Sequence, residues 1–186
     1  MIILGEPITI NSMSSQIYCT LKLDPFYQAF LRARFEQPPR EPFRFSKGHD
    51  LSLFFQATLK PIPPGWKEPD YGEDAFVIEV PWMEHKNAQT YRWISPERNV
   101  MFCSRVMRYW KMVSHDIISQ ARKLGMEKKE IIFFLFEEME IPLQYSDRVE
   151  REYSRYLKEE RQRRFVSKNK LLKNVKKLSD RRLKSA

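Results

Sequence analysis

All twelve prolines and all five glycines of this 186-residue chain lie at or before Pro142. Proline costs a helix interior about 3 kcal/mol and glycine about 1 kcal/mol relative to alanine. Residues 143–186 therefore hold nothing that breaks a helix outright, whereas everything before them is punctuated at short intervals. The chain divides into a turn-rich, mixed body and an uninterrupted C-terminal helical segment.

Within the body, Ile17-Tyr18-Cys19-Thr20-Leu21-Lys22-Leu23 is rich in β-formers and alternates in part, so it reads as a strand. Asp24-Pro25 then opens a helix to about Phe35, with Asp as N-cap and Pro at the first helical position. The prolines at 38, 39 and 42 stop it. Asp50 is positioned to cap a short helix, Leu51 to Leu59, in which Leu51, Phe54, Phe55 and Leu59 keep helical spacing. After the extended loop Pro61 to Trp66, Ala75 to Val80 is a strand stopped by Pro81, with Thr90 to Ile94 as its expected hairpin partner.

Ser95-Pro96-Glu97 is a helix start: a hydroxyl for the free amides, a proline at the tolerant position, a carboxylate at the positive end of the dipole. Phe102, Val106, Tyr109, Trp110, Val113 and Ile117 give that helix an apolar face, and Leu124-Gly125 ends it. A second helix follows over Glu127 to Met139, its charged flanks deciding against a strand for Ile131 to Phe136. Pro142 separates it from the last helix, for which Ser146 or Asp147 is the expected cap and Asp147 with Glu150 a capping pair. Helix, glycine turn, short helix, break and long helix is the order of a helix-turn-helix-like bundle. The fold class expected is α+β: a small antiparallel sheet with helices over 1–94, a helical bundle over 95–166, and a basic tail over 167–186.

Charge is segregated along the same line. From Arg148 to the end there are fifteen Lys or Arg against five Asp or Glu; residues 1–147 hold eighteen against nineteen. A concentrated positive field of this kind attracts polyanions. On the last helix Val149, Tyr153, Tyr156 and Leu157 form a docking stripe. Arg148, Arg151, Arg155, Lys158, Arg161, Arg163 and Arg164 occupy the rest, and Lys168, Lys170 and Lys173 continue the series. These ten are the expected contacts to nucleic-acid phosphates, with Arg98, Arg105, Arg108 and Lys111 extending the surface inward. The competing reading is a solvated helix laced by pairs such as Arg155 with Glu159 and Arg148 with Glu152. Acidic partners run out after Glu160. Beyond it, Leu171, Leu172, Val175, Leu178 and Leu183 make the tail amphipathic, which suits an arm that orders on nucleic acid or a helix docking on an acidic protein. With no Trp or Phe after Ser167 to anchor in lipid, a membrane surface ranks last.

Other classes find little support. The longest apolar run, Ile131 to Phe136, is six residues against the roughly 20 of a spanning helix. The N-terminus lacks the basic start and apolar stretch of a secretory signal, so a cytoplasmic location is expected. Cys19 and Cys103 sit in no paired spacing and read as buried, reduced thiols; three scattered histidines define no zinc site, and no cofactor is implied. Phosphate loops, GxSxG elbows and HExxH motifs are absent. Asp70, Asp74, Glu79 and Glu84-His85-Lys86 only loosely follow the acid and ExK layout of metal-dependent nucleases, because Val80-Pro81 stands where a lysine belongs, so no enzyme is expected. The aromatics Phe26, Tyr27, Phe30, Phe54, Phe55, Trp82, Trp93 and Trp110 read as core before base-stacking surfaces.

The stretch Ile117 to Tyr156 carries Ala121-Arg122-Lys123-Leu124-Gly125-Met126-Glu127-Lys128-Lys129-Glu130-Ile131, a Phe-rich helix, a short linker and Tyr153-Ser154-Arg155-Tyr156. It resembles small uncharacterised proteins of transposable prophages from Bacteroides-like bacteria. That resemblance implies a mobile-element setting and a helix-turn-helix-like end, and it carries no activity with it. The function expected is an accessory or regulatory nucleic-acid-binding protein, DNA ahead of RNA; the alternative is an interaction or assembly factor whose basic tail docks on an acidic partner.

Overall fold

A computed structural model describes residues 16–184, except the side chains of Lys168 and residues 171–184. The fold is α+β, with a two-stranded antiparallel sheet and five α-helices among the described residues. Strand β1 is Tyr18–Lys22 and β2 is Ala75–Glu79, paired from Tyr18 opposite Glu79 to Lys22 opposite Ala75. That register places Cys19 against Ile78 and Leu21 against Phe76, four buried side chains on one face. A one-residue slip would turn all four outward, so burial fixes the pairing.

The expected hairpin between 75–80 and 90–94 does not form. The second segment instead meets residues 60–62, Trp93 in an isolated bridge to Lys60 and Thr90 accepting the Ile62 amide at 3.0 Å, and β2 takes Phe43 on its free side through Phe43 N–H to Val77 O and Glu79 N–H to Phe43 O, both 2.8 Å. The reason is packing. Phe43 is fully buried and meets the rings of Phe45 and Phe76 at 4.9 and 5.2 Å, a contact that Thr90 to Ile94, with Ile94 its single buried position, cannot offer.

Contacts divide the chain into two units, one running through Lys22 and over Arg40–Phe102, the other over Leu23–Pro39 and Cys103–Ala186. The division after Phe102 thus falls inside the helix Pro96–Lys123 and not at Ser95, and the first helix groups with the C-terminal ones. The first unit holds the sheet and α2 (Asp50–Thr58), with Phe55 packed on Phe102 at 5.8 Å. His49, one residue before the expected Asp50, caps α2 by accepting the Leu51 amide at Nδ1. Burial pushes the Cys19 thiol in this unit up to about 12, which makes it inert; Cys103 is only half-buried.

The second unit comprises α1 (Pro25–Arg34), most of α3 (Pro96–Lys123), α4 (Lys128–Met139) and α5 (Ser146–Lys184). Asp24 caps α1 as read, accepting the Phe26 amide at 2.9 Å. The buried line along α3 runs Phe102, Val106, Trp110, Ser114, Ile118 and Ala121. It departs from the expected stripe after Trp110, because a step of four residues advances about 40° around a 3.6-residue helix. Tyr109, Val113 and Ile117 are left half-buried. Phe26 sits at the centre of this unit, edge-on to Tyr27, Trp110 and Tyr145 at 5.1, 4.9 and 5.3 Å. Gly125, at φ +81°, closes α3 in the left-handed conformation that the sequence calls for. A short 3-10 turn, Leu143–Tyr145, leads directly into α5, so Asp147 lies within the first turn and Glu150 reaches Lys128 at 3.2 Å instead of capping.

Candidate nucleic-acid interface

Helix α5 is 39 residues long, about 58 Å at 1.5 Å per residue, and the segments read as bundle helix and tail are one helix without a break at 167. Its surroundings change along its length. Val149, Glu152 and Tyr153 are buried, Tyr156, Leu157, Glu159 and Glu160 half-buried, and every residue from Arg161 to Ser167 is exposed.

The docked half is held by ion pairs that cross between helices. Lys111 Nζ on α3 meets Glu159 at 2.6 Å, His115 Nε2 meets Glu152 at 2.8 Å, and Arg122 bonds Glu160 while lying 6.0 Å over the Tyr156 ring. Arg148 reaches Asp24 at 2.8 Å and lies over the rings of Phe26 and Tyr27 at 4.5 and 4.8 Å. Partial burial alone would lower the Arg148 pKa, and the bond to Asp24 more than reverses it, so the guanidinium stays charged. Arg155 Nη1 bonds Glu152 Oε2 at 2.6 Å, so the pairs expected within the helix, Arg155 with Glu159 and Arg148 with Glu152, are both replaced. Arg151 donates to the Asp147 carbonyl at 3.1 Å.

Of the ten expected contacts, Arg148 and Arg155 are therefore engaged with carboxylates. Their charge is matched locally: Arg148 to Glu160 holds four Lys or Arg and four Asp or Glu. From Arg161 to the end the count is eleven against one. Arg163 and Arg164 make only intrahelical pairs to Glu159 and Glu160, at 3.9 and 2.5 Å, with side chains 78% and 75% exposed. Exposed i,i+4 pairs are worth about 0.3–0.5 kcal/mol and give way readily to a phosphate. Among the described residues Lys158, Arg161 and Lys170 meet no carboxylate. The side chains of Lys168 and Lys173 lie outside the described residues. Of the cations expected on α3, Arg98 is bonded to the Ala57 carbonyl and Lys111 to Glu159.

No protein-family model, curated protein or solved structure matches the chain. None of the described helices is long and apolar enough to cross a membrane. The acids weighed as a nuclease site are dispersed: Asp74 pairs with Lys22 at 3.3 Å, Glu79 with Arg44 at 2.5 Å, and Glu84 with its neighbour His85 at 3.8 Å. Lys86 donates to the Gln56 carbonyl.

The α3–α5 pairing has a pH signature. The Lys111 ammonium bonded to Glu159 holds that carboxyl below its usual range. Partial burial would raise Glu160, but bonds from Arg122 and Arg164 bring it below as well. A lowered carboxylate contributes stability above its unfolded pKa and loses it as pH falls through its folded pKa. Thermal stability is therefore expected to decline from about pH 4.5 downward, and the Glu159→Gln/Glu160→Gln protein to show a shallower decline. With both pairs partly solvated, each contributes no more than about 1 kcal/mol. Scanning calorimetry from pH 6 to pH 3 checks this; identical profiles would remove the pairs from the account.

Proposed function

We propose that this chain is a nucleic-acid-binding accessory or regulatory protein, DNA ahead of RNA, that holds phosphates with the C-terminal part of α5. One observation carries the reading. The docked half, Arg148 to Glu160, balances four cations with four carboxylates in count, while from Arg161 onward cations outnumber acids eleven to one on a helix exposed from Arg161 to Ser167. Arg161, Arg163, Arg164 and Lys170 are the described contacts, with Lys158 at the junction. Lys168 and Lys173 join them from the sequence. A rigid helical rise of about 1.5 Å per residue spaces such charges along a backbone that carries one phosphate charge per ~1.7 Å of duplex.

Titration of a nonspecific duplex and a single strand against salt tests the proposal. If about six phosphates are neutralised on a duplex, log K falls with log salt at a slope near −5. Absence of binding at low salt would favour the second reading, an interaction factor docking on an acidic protein. Phe165 and Val166 give that reading its own support, since both are more than half exposed among the cations. A mobile-element setting belongs to the proposal too, and the neighbouring genes test it.

A further inference from the structure

We infer that a cleft in the α1–α3–α5 unit is a second anion site, built for a nucleoside phosphate. Two adjoining hollows of about 320 and 310 Å³ share Tyr27, Met107, Trp110, Glu152 and Arg155 on their walls. One opens between Arg148 and Arg151 of α5, the other between Arg108 and Lys111 of α3. Each has the size of a small-ligand site.

Five cations thus face a cleft that holds one carboxylate, and that carboxylate is occupied. Glu152 is 4% exposed, with Oε1 on His115 and Oε2 on Arg155. Arg148 is matched by Asp24 and Lys111 by Glu159. Among the described residues Arg108 and Arg151 meet no carboxylate, and Arg151 spends only its Nε on the Asp147 carbonyl. Two uncompensated guanidiniums, one from each helix, therefore border the two adjoining hollows. Guanidinium groups bind phosphate through paired, charge-assisted hydrogen bonds, and a doubly charged phosphate would offset both. The wall that the hollows share is of another kind: the thioether of Met107, 48% exposed, with the buried Trp110 and Tyr27 behind it, gives apolar, polarizable surface suited to a base. Phosphate on the guanidiniums and base against the Met107 wall is the division of labour that a nucleotide needs, whether it comes free or as the end of a strand.

This site does not depend on the basic part of α5, and calorimetry separates the two. With the full chain, a nucleoside monophosphate is expected to bind saturably at 1:1, more tightly than inorganic phosphate or the unphosphorylated nucleoside. Arg151→Gln removes one phosphate clamp, and Met107→Glu sets a carboxylate on the shared wall, against both base and phosphate. Both positions are exposed, so both proteins should fold, and each should bind roughly ten- to a hundredfold more weakly. Deleting Ser167–Ala186 should leave this affinity unchanged while abolishing most duplex binding. A 5′-phosphorylated oligonucleotide that competes in the deletion protein would identify a strand end as the source; failure to compete would identify the free nucleotide. No saturable heat at millimolar nucleotide, inorganic phosphate binding as tightly as the nucleotide, or affinity unmoved in both variants would overturn the assignment.

Discussion

Deleting Ser167–Ala186 is expected to weaken duplex binding about a thousandfold near 0.1 M salt and to leave the unfolding temperature unchanged. The deletion removes eight of the eleven cations that follow Glu160 and retains Arg161, Arg163 and Arg164. Counterion release gives each neutralised phosphate roughly one decade of affinity at that salt concentration, so dropping from about six contacts to two or three costs three to four decades. The salt slope should fall with it, from near −5 to between −2 and −3. Folding is spared because the buried side chains of α5 end at Tyr153 among the described residues, and Arg161 to Ser167 touch solvent throughout. Fluorescence anisotropy on a labelled duplex, with thermal unfolding of both proteins, reads the two effects. An unchanged salt slope would mean that the phosphates are held elsewhere, and a collapse of the unfolding transition would mean that the end of α5 is structural.

What could be read in advance follows the range of the interactions involved. Asp24-Pro25 announced α1, Gly125 the end of α3 and the absence of breakers the length of α5, because capping, left-handed turns and helix propensity act over a few residues. His49 took the cap from Asp50 by one position, a shift that the local sequence scarcely distinguishes. The sheet was less accessible. Pairing β1 with β2 closes a loop of more than fifty residues, and it is selected by the burial of Cys19, Leu21, Phe76 and Ile78 together, not by any turn signal. Thr90 to Ile94 alternates well enough to suggest a strand and loses to Phe43, whose ring fills the core.

The charge pattern shows the same division more sharply. Segregation toward the C-terminus was plain from composition, but where it takes effect was not. Glu159 and Glu160 looked like partners for their own helix, and the structure sends them also to Lys111 and Arg122, 48 and 38 residues away. Arg148 finds Asp24 across 124 residues. Such pairings exist only once α1 and α3 are packed against α5, and they shift the free positive charge between three and four helical turns toward the C-terminus, from Arg148 to Arg161. The sequence signal for this is the matched count between Arg148 and Glu160.

That packing rests on one side chain above others. Phe26→Ala is expected to destabilise the helical unit by about 3–5 kcal/mol, the range for truncating a fully buried phenylalanine. At roughly 2–4 °C per kcal/mol for a chain of this size, the unfolding temperature should fall by about 6–20 °C. Phe26 is 0% exposed and is the common neighbour of Tyr27, Trp110, Tyr145 and the Arg148 guanidinium, so its ring joins α1 to α3 and to the start of α5. Phe26→Leu keeps most of the volume and loses the ring edges and the cation–π contact, for which about 1–2 kcal/mol is expected. Phe165→Ala, the same truncation at a 65% exposed position, should fall within about 0.5 kcal/mol of the parent protein. Chemical denaturation of the three variants orders them. If Phe26→Ala were as mild as Phe165→Ala, α1 would not be the anchor of α5, and the docked, charge-matched half of that helix would lose the support that leaves its other half free to meet phosphate.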